Sequence, residues 1–242
     1  MPVSTGEIHR NIDTVHARMH AAAASSGRRM EDIRLVAVSK QMPVDSITAA
    51  LAAGQRCFGE NTLQEALAKQ ALLEDRDIEW HFIGHLQSNK AKNLAARFDW
   101  LHTLDSPKLA GRLSDNRPAG TDPLGVLLQV NVARDPHKYG LLPEAVTAMA
   151  EQLLTGNYPG IELRGLMTIG QRNATDDQRR TEFAALRKLG ENCAARFGSR
   201  HFSELSMGMS NDYELAIAEG ATMVRVGSGI FGPRPTDRAK AE

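Results

Sequence analysis

The chain has 242 residues, with 29 basic and 29 acidic side chains and a formal net charge of zero. This length suits one barrel or two small domains, and the balanced charge gives no attraction to nucleic acid or to a membrane surface. Two widely separated cysteines, Cys57 and Cys193, argue against a disulfide framework and fit the reduced thiols of a cytoplasmic protein. The charged N-terminal segment lacks the apolar run of a signal peptide, and no run reaches the ~20 residues of a membrane helix.

The first predicted element is a helix. Ser4 and Glu7 have the spacing of a capping box. An apolar stripe at helical spacing follows, formed by Ile8, Ile12, Val15 and Met19. At the other end, the polar segment 235–242 is predicted to be a flexible tail.

Between these ends, short apolar runs alternate with longer stretches of helical periodicity. Eight runs are predicted to be strands, at 33–38, 56–59, 80–84, 100–104, 125–132, 163–169, 202–207 and 222–227. Continuous apolar strands are typical of a parallel sheet that is covered on both faces. Eight strand–helix units in about 230 residues favour a barrel over a doubly wound sheet. We therefore predict an α/β (β/α)8 TIM barrel with an extra N-terminal helix, as a single domain over residues 1–234.

Lys40 stands at the end of the first predicted strand, in LVAVSK. The reactive groups of a (β/α)8 barrel lie at the carboxyl ends of its strands. Partial burial there would lower the pKa of a lysine and free its neutral amine to attack an aldehyde. The structural alternative is a lysine that reaches solvent or pairs with a carboxylate such as Glu60.

The loops after the seventh and eighth strands contain SMGMSND and VGSG. Gly208 permits close backbone approach, and Ser210 can cap the following helix. Gly227 and Ser228 add a backbone amide and a hydroxyl. Barrels often bind a phosphate between these two loops. Opposite a lysine at a strand end, the two loops predict a site for an aldehyde that carries a phosphate.

Four histidines lie near strand ends, namely His81, His85, His102 and His137. The sequence shows neither a carboxylate partner nor zinc spacing for them, so we interpret them as hydrogen-bonded structural residues and predict no metal site. His81 is kept as a candidate wall residue of the pocket. The basic residues around 172–180 are interpreted as the solvated start of a helix.

Five segments follow one another in an order typical of a known family: LVAVSK (35–40), CFGEN (57–61), WHFIGHLQSNK (80–90), GLMTIG (165–170) and LSMGMSNDYELAIAEGATMVRVGSGIFGPR (205–234). They resemble the pyridoxal phosphate homeostasis proteins. SKQMP and VGSGIFG differ from the SKTKP and VGxAIFG that are common in the family. Both segments nevertheless keep the expected binding residues, namely Lys40, Gly227 and Ser228.

The resemblance implies a barrel like the N-terminal domain of bacterial alanine racemase, the type III fold of enzymes that use pyridoxal 5'-phosphate. It implies that this cofactor forms a Schiff base with Lys40 and that Asn61 approaches its ring. Arg225 would face the pyridine nitrogen, although an ion pair with Glu204 is the structural alternative for that arginine. The phosphate would lie near Ser210, Gly227 and Ser228. The other expected cofactor contacts are His81, Met167, Ser206 and Met209.

The expected function is that of a carrier or buffer in intracellular pyridoxal phosphate homeostasis, without robust catalysis. An arginine cannot accept the proton of a pyridinium nitrogen, which weakens the cofactor as an electron sink. The chain also ends just past the barrel, without the second domain that shapes a racemase site. Two alternatives stay open: an amino-acid racemase of low activity, and a Schiff-base aldolase that acts on a phosphorylated sugar. We expect a cytoplasmic monomer whose partners are recipient apo-enzymes.

Overall fold

The computed structural model describes residues 3–233, in which eight parallel strands form a closed barrel. Each strand pairs with the next one along the chain, and β8 pairs with β1 to close the barrel. The strands are β1 (Arg34–Val38), β2 (Cys57–Glu60), β3 (Glu79–Phe82), β4 (Trp100–Leu104), β5 (Leu124–Gln129), β6 (Ile161–Met167), β7 (Glu204–Met209) and β8 (Met223–Val226). The predicted barrel fold is confirmed, whereas the predicted tail 235–242 lies outside the described residues.

Helices cover the outside of the barrel. They are α1 (Thr5–Ser25), α2 (Val44–Ala52), α3 (Leu63–Leu72), α4 (Ala91–Arg97), α5 (Pro107–Asp115), α6 (Pro143–Thr155), α7 (Asp176–Phe197), α8 (Tyr213–Ala218) and α9 (Ser228–Phe231). None of the helices between residues 3 and 233 is both long enough and apolar enough to cross a membrane.

Every predicted strand is present, with its ends displaced by a few residues. The fifth strand shows the largest difference, because β5 ends at Gln129 rather than at residue 132. Beyond Gln129 the chain turns back, and the Asn131 side chain holds that turn by donating from Nδ2 to the carbonyl of Asp135 at 2.7 Å. The apolar run 125–132 did not reveal this turn because Val130 is itself buried.

Helix α1 covers the outside of the barrel where the first and last strands meet. The predicted capping box is confirmed, because Ser4 and Glu7 bond each other's backbone N–H groups. The apolar stripe of α1 is buried against α2, α8 and α9. Asn11 Nδ2 also donates to the carbonyl of Ile230 at 2.9 Å. The extra helix therefore supports the α9 segment that directly follows β8.

The barrel interior holds both an apolar cluster and a set of polar side chains. Side chains alternate along a strand, so a residue between two that face the helices points into the barrel. Inward-pointing residues of β4, β5, β6 and β8 form an apolar cluster of Trp100, Leu127, Met167 and Met223. The polar inward-pointing residues come from β3, β4, β7 and β8 and are Glu79, His81, His102, Ser206 and Arg225. Barrel interiors are usually dominated by branched apolar residues, so this polar set calls for a specific explanation.

Candidate functional site

A cavity of about 470 Å³ opens at the carboxyl end of the barrel. Its volume lies within the roughly 300–1,000 Å³ that is usual for small-molecule sites. Lys40 reaches it from the end of β1, and Arg225 reaches it from β8. The walls facing Lys40 come from the segments after β7 and β8, including Ser210, Gly227 and Ser228. The fold thus brings the predicted amine and the predicted phosphate loops into one cavity.

A buried lysine fixes the segment that carries Lys40. Lys69 of α3 donates from Nζ to the carbonyl of Ser39 at 2.8 Å and to Oε1 of Glu60 at 2.8 Å. Ser39 Oγ donates to the same Glu60 oxygen at 2.6 Å. Burial raises the pKa of Glu60, while Lys69 and Ser39 oppose that shift. Lys69 is therefore a partner of Glu60 that was not among the sequence predictions.

Glu65 fixes the chain on the other side of Lys40, and we call Lys69, Glu60 and Glu65 together the anchor. Glu65 Oε1 accepts from Lys69 Nζ at 2.6 Å and from the backbone N–H of Gln41 at 2.5 Å. Gln41 has a φ of 61°, a left-handed conformation that is uncommon for a residue with a side chain. The hydrogen bond to Glu65 holds that conformation, so both residues flanking Lys40 are fixed by α3.

The loops after β7 and β8 are tied together by Ser210. Its Oγ accepts from the backbone N–H of Gly227 at 3.1 Å and of Gly229 at 3.3 Å. Gly208 has a φ of +87°, and a Cβ there would lie 2.5 Å from the Cβ of Ala216. Only glycine fits that position without displacing α8. The result is a compact turn in which the Ser210 hydroxyl accepts two backbone N–H groups and can itself donate to a phosphate.

Arg225 connects the cavity to the barrel interior. It donates from Nη1 to Ser206 Oγ at 2.5 Å and from Nη2 to the carbonyl of Thr168 at 2.8 Å. These bonds replace the ion pair with Glu204, whose Oε2 accepts from the Thr222 hydroxyl instead. Burial lowers the pKa of Arg225 to about 10, against the attraction of Asp212, so the guanidinium remains a cation at neutral pH.

Behind Arg225, a chain of hydrogen bonds continues through the barrel to Glu79. We call this chain the interior network; its members are Arg225, Ser206, His102, His81 and Glu79. Ser206 Oγ lies 2.8 Å from His102 Nδ1, and His102 Nε2 lies 2.8 Å from His81 Nδ1. His81 Nε2 lies 2.7 Å from Glu79 Oε1. The two histidines are fully buried, and His81, for which the sequence analysis found no carboxylate partner, has one in Glu79.

The predicted site residues divide into two groups by position. Those that line the cavity are Lys40, Met209, Ser210, Arg225, Gly227 and Ser228. Those outside the lining are Asn61, His81, Met167 and Ser206. His81 and Ser206 belong to the interior network, and Met167 to the apolar interior cluster. The position of His81 deep in the barrel corrects its interpretation as a wall residue, because its neighbours Trp80 and Phe82 face the helices and turn it inward.

Two further cations face the cavity, Arg172 and Arg179, and neither was among the predicted site residues. Both lie in the basic segment that was interpreted as a solvated helix start. That interpretation is wrong for Arg179, whose side chain is only 18% exposed and lies 3.6 Å from Asp212. Arg172 lies in the segment after β6, just as the other cavity residues lie in segments that follow strands. That position in the sequence could have identified it as a cavity residue.

Three ligand-type atoms meet at the amino end of the barrel, from Cys57, Glu79 and His81, within 4.8 Å of one another. Glu79 bonds both partners there, and Arg34 Nη1 lies 3.6 Å from its carboxylate. A metal ion would have to break the His81–Glu79 bond beside an existing positive charge. We therefore describe these residues as a hydrogen-bonded cluster.

Comparison with known proteins decides the family. A family model described as the N-terminal domain of alanine racemase matches residues 3–235. A curated Pseudomonas aeruginosa protein named pyridoxal phosphate homeostasis protein is 47% identical over 227 residues, which cover 94% of this chain and 96% of that protein. This chain belongs to the pyridoxal phosphate homeostasis protein family. A family member of the same name from Escherichia coli K12 is 42% identical over 236 residues, covering 94% of this chain and 97% of its own length.

Solved structures agree with this family and fold. PipY of Synechococcus elongatus, solved with pyridoxal phosphate bound, is 37% identical and superposes with a TM-score of 0.81 over 93% of this chain and 100% of its own. Alanine racemase from Corynebacterium glutamicum matches with a TM-score of 0.66 at 17% identity, over 92% of this chain and 62% of the racemase. That second likeness concerns the fold alone.

The anchor below Lys40 predicts a large cost for removing Lys69. Lys69→Met leaves the Glu60 carboxylate buried without its cation, which should lower the free energy of unfolding by about 3–5 kcal/mol. Urea denaturation followed by circular dichroism measures this change. Lys92→Met, at an exposed position of α4, is the matched control and should stay within about 0.5 kcal/mol of wild type.

The same experiment has an internal check. Adding Glu60→Gln to Lys69→Met removes the uncompensated charge and should restore part of the lost stability. Equal stability of the Lys69→Met and Lys92→Met proteins would show that the anchor contributes little.

Proposed function

We propose that this protein binds pyridoxal 5'-phosphate in the carboxyl-end cavity, through a Schiff base on Lys40, and acts as a carrier or buffer in cofactor homeostasis. The observation that carries the proposal is that Lys40, Arg225 and the Ser210–Gly227 turn line one cavity. The names of the relatives and the cofactor bound to PipY support it. We propose the barrel of residues 1–234 as the single binding domain.

Lys40 would hold the cofactor covalently. Its neutral amine attacks the aldehyde carbon, a C=N bond replaces the C=O bond, and the oxygen leaves as water. When bound, pyridoxal phosphate supplies this aldehyde together with an aromatic ring that can withdraw electrons. The anchor formed by Lys69 and Glu65 fixes the backbone on both sides of Lys40, so the amine enters the cavity from a defined position.

Arg225 would face the ring nitrogen. A guanidinium has only donors, so it can donate to an unprotonated pyridine nitrogen but cannot accept a proton from a protonated one. The ring then withdraws electrons weakly, which suits retention and release of the cofactor better than carbanion chemistry. Ser206 acts behind Arg225, since its hydroxyl already accepts from Nη1.

The phosphate would lie in the turn made by Ser210, Gly227 and Ser228. Backbone N–H groups and hydroxyls supply its hydrogen bonds, while Arg172 and Arg179 add positive charge across the cavity. Met209 completes the wall on the β7 side. Asn61 would approach the ring from the segment after β2, and Met167 and His81 would support the site from inside the barrel.

We also propose that the loaded protein is a cytoplasmic monomer that passes the cofactor to recipient apo-enzymes. The balanced charge and the opening of the cavity at the end of the barrel suit such exchange.

The covalent link gives a direct prediction. Protein loaded with pyridoxal phosphate should absorb in the violet, and borohydride should abolish that band and leave a pyridoxyl mass on the peptide that contains Lys40. Lys40→Ala should lose both the band and the label, because the remaining contacts hold the cofactor without a covalent bond. Lys92→Ala, at an exposed site on α4, should keep both. A label on another lysine in wild-type protein would refute this assignment.

The phosphate turn gives a second prediction. Ser210→Ala removes a hydroxyl that would bond a charged oxygen, so the Kd for pyridoxal phosphate should rise about tenfold. Binding of pyridoxal, which lacks the phosphate, should not change. Absorbance titration of both ligands measures the two affinities. An equal loss for both ligands would show that Ser210 acts on the ring or on the fold rather than on the phosphate.

A further inference from the structure

The interior network has a fixed direction because its two ends differ chemically. Arg225 can only donate hydrogen bonds, and an ionised Glu79 can only accept them. Partial burial opposes the ionisation of Glu79, but the hydrogen bond from His81 and the charge of Arg34 outweigh it and lower the pKa of Glu79. One end therefore supplies hydrogens and the other receives them.

The intermediate residues must follow this direction. His81 donates from Nε2 to Glu79, which leaves Nδ1 as an acceptor as long as the ring is neutral. His102 then donates from Nε2 to His81 and accepts at Nδ1 from the Ser206 hydroxyl. Burial lowers the pKa of both histidines, so both rings are neutral at physiological pH. In each hydrogen bond of the network, the accepting lone pair consequently points toward Arg225.

This order matters because Arg225 is a buried cation. Its direct acceptors, Ser206 Oγ and the Thr168 carbonyl, are both uncharged. Burying a charge among neutral groups is costly unless aligned dipoles or an opposite charge compensate it. The interior network supplies aligned dipoles that end on the Glu79 carboxylate, and Asp212 attracts Arg225 from the cavity side.

We propose that Glu79, His81, His102 and Ser206 are positioning residues for Arg225. They fix the guanidinium in the orientation in which it meets the ring nitrogen, an inference that rests on the proposed function. Glu79 lies at the opposite end of the barrel, where its side chain is 35% exposed beside a second cavity. A change at that amino end would therefore reach the ring nitrogen through the hydrogen bonds of the interior network.

The first test needs no cofactor. Nuclear magnetic resonance of full-length protein labelled with ¹⁵N-histidine reports which ring nitrogen carries the proton. We expect His81 and His102 both to be neutral and protonated at Nε2. A proton on Nδ1 of His102 would reverse the direction of the network and overturn the proposal. Because this result does not depend on pyridoxal phosphate, it stands even where the proposed function fails.

The second test is a double-mutant cycle of Glu79→Gln and Ser206→Ala, read from the absorption maximum and the Kd of bound pyridoxal phosphate. Glu79→Gln keeps an acceptor but removes the charge, and it should shift the band and raise the Kd about tenfold. In the Ser206→Ala background, where the network is cut, Glu79→Gln should have no further effect. Asp77→Asn, which removes an exposed carboxylate of the same second cavity, is the control and should change neither quantity.

The cycle separates positioning from a merely structural role. If Glu79→Gln acts equally in both backgrounds, or leaves band and Kd unchanged, then Glu79 does not act through Ser206 and the proposal fails. A protein that is labelled on Lys40 but shows such additive effects would keep the proposed function and lose only this inference.

Discussion

The pairing of β1 with β8 is the constraint on which the site depends. Ala37 pairs with Val226, so the residues that follow these two strands emerge side by side although they come from opposite ends of the chain. Lys40 follows β1, and Gly227 and Ser228 follow β8. If the barrel did not close, the amine and the phosphate turn would lie on opposite edges of an open sheet. Helix α1 covers this seam and reaches α9 through Asn11, so the outer layer also supports the turn.

Two buried charges give the site its rigidity. Lys69 is held between Glu60, Glu65 and the Ser39 carbonyl, and Arg225 is held by Ser206 and Thr168. Removing one partner of such a group leaves the other buried without compensation, so these arrangements tolerate few alternatives. The anchor fixes the residues on both sides of Lys40, and the interior network holds Arg225. A site whose groups are fixed in this way can hold a small aromatic ligand in one orientation.

The strands were predictable because buried parallel strands are apolar throughout, and because the stretches between them have the periodicity of amphipathic helices. The rule that reactive groups follow such strands was then enough to identify Lys40, Ser210, Gly227 and Ser228 as residues of one cavity. The interior network was not predictable in this way. His102 on β4 and Ser206 on β7 meet across the barrel, and such a contact depends on the relative heights of strands that are not neighbours.

Helix orientation explains the other differences between sequence and structure. Lys69 resembles any lysine of an amphipathic helix until α3 is docked, and only then does it reach Glu60. Arg179 stands in a segment rich in charge, yet the first turns of α7 face the cavity and bring it toward Asp212. Local composition predicts exposure for both side chains, and tertiary packing overrides it.

We propose above that one cavity holds pyridoxal phosphate between Lys40 and the turn after β8. A crystal structure of the protein soaked with pyridoxal phosphate tests this claim most directly. We expect continuous electron density from Lys40 Nζ to the ligand, phosphate oxygens bonded to Ser210 and the Gly227–Ser228 backbone, and the ring nitrogen facing Arg225. Density that is attached to another lysine, or a phosphate bound away from this turn, would contradict it.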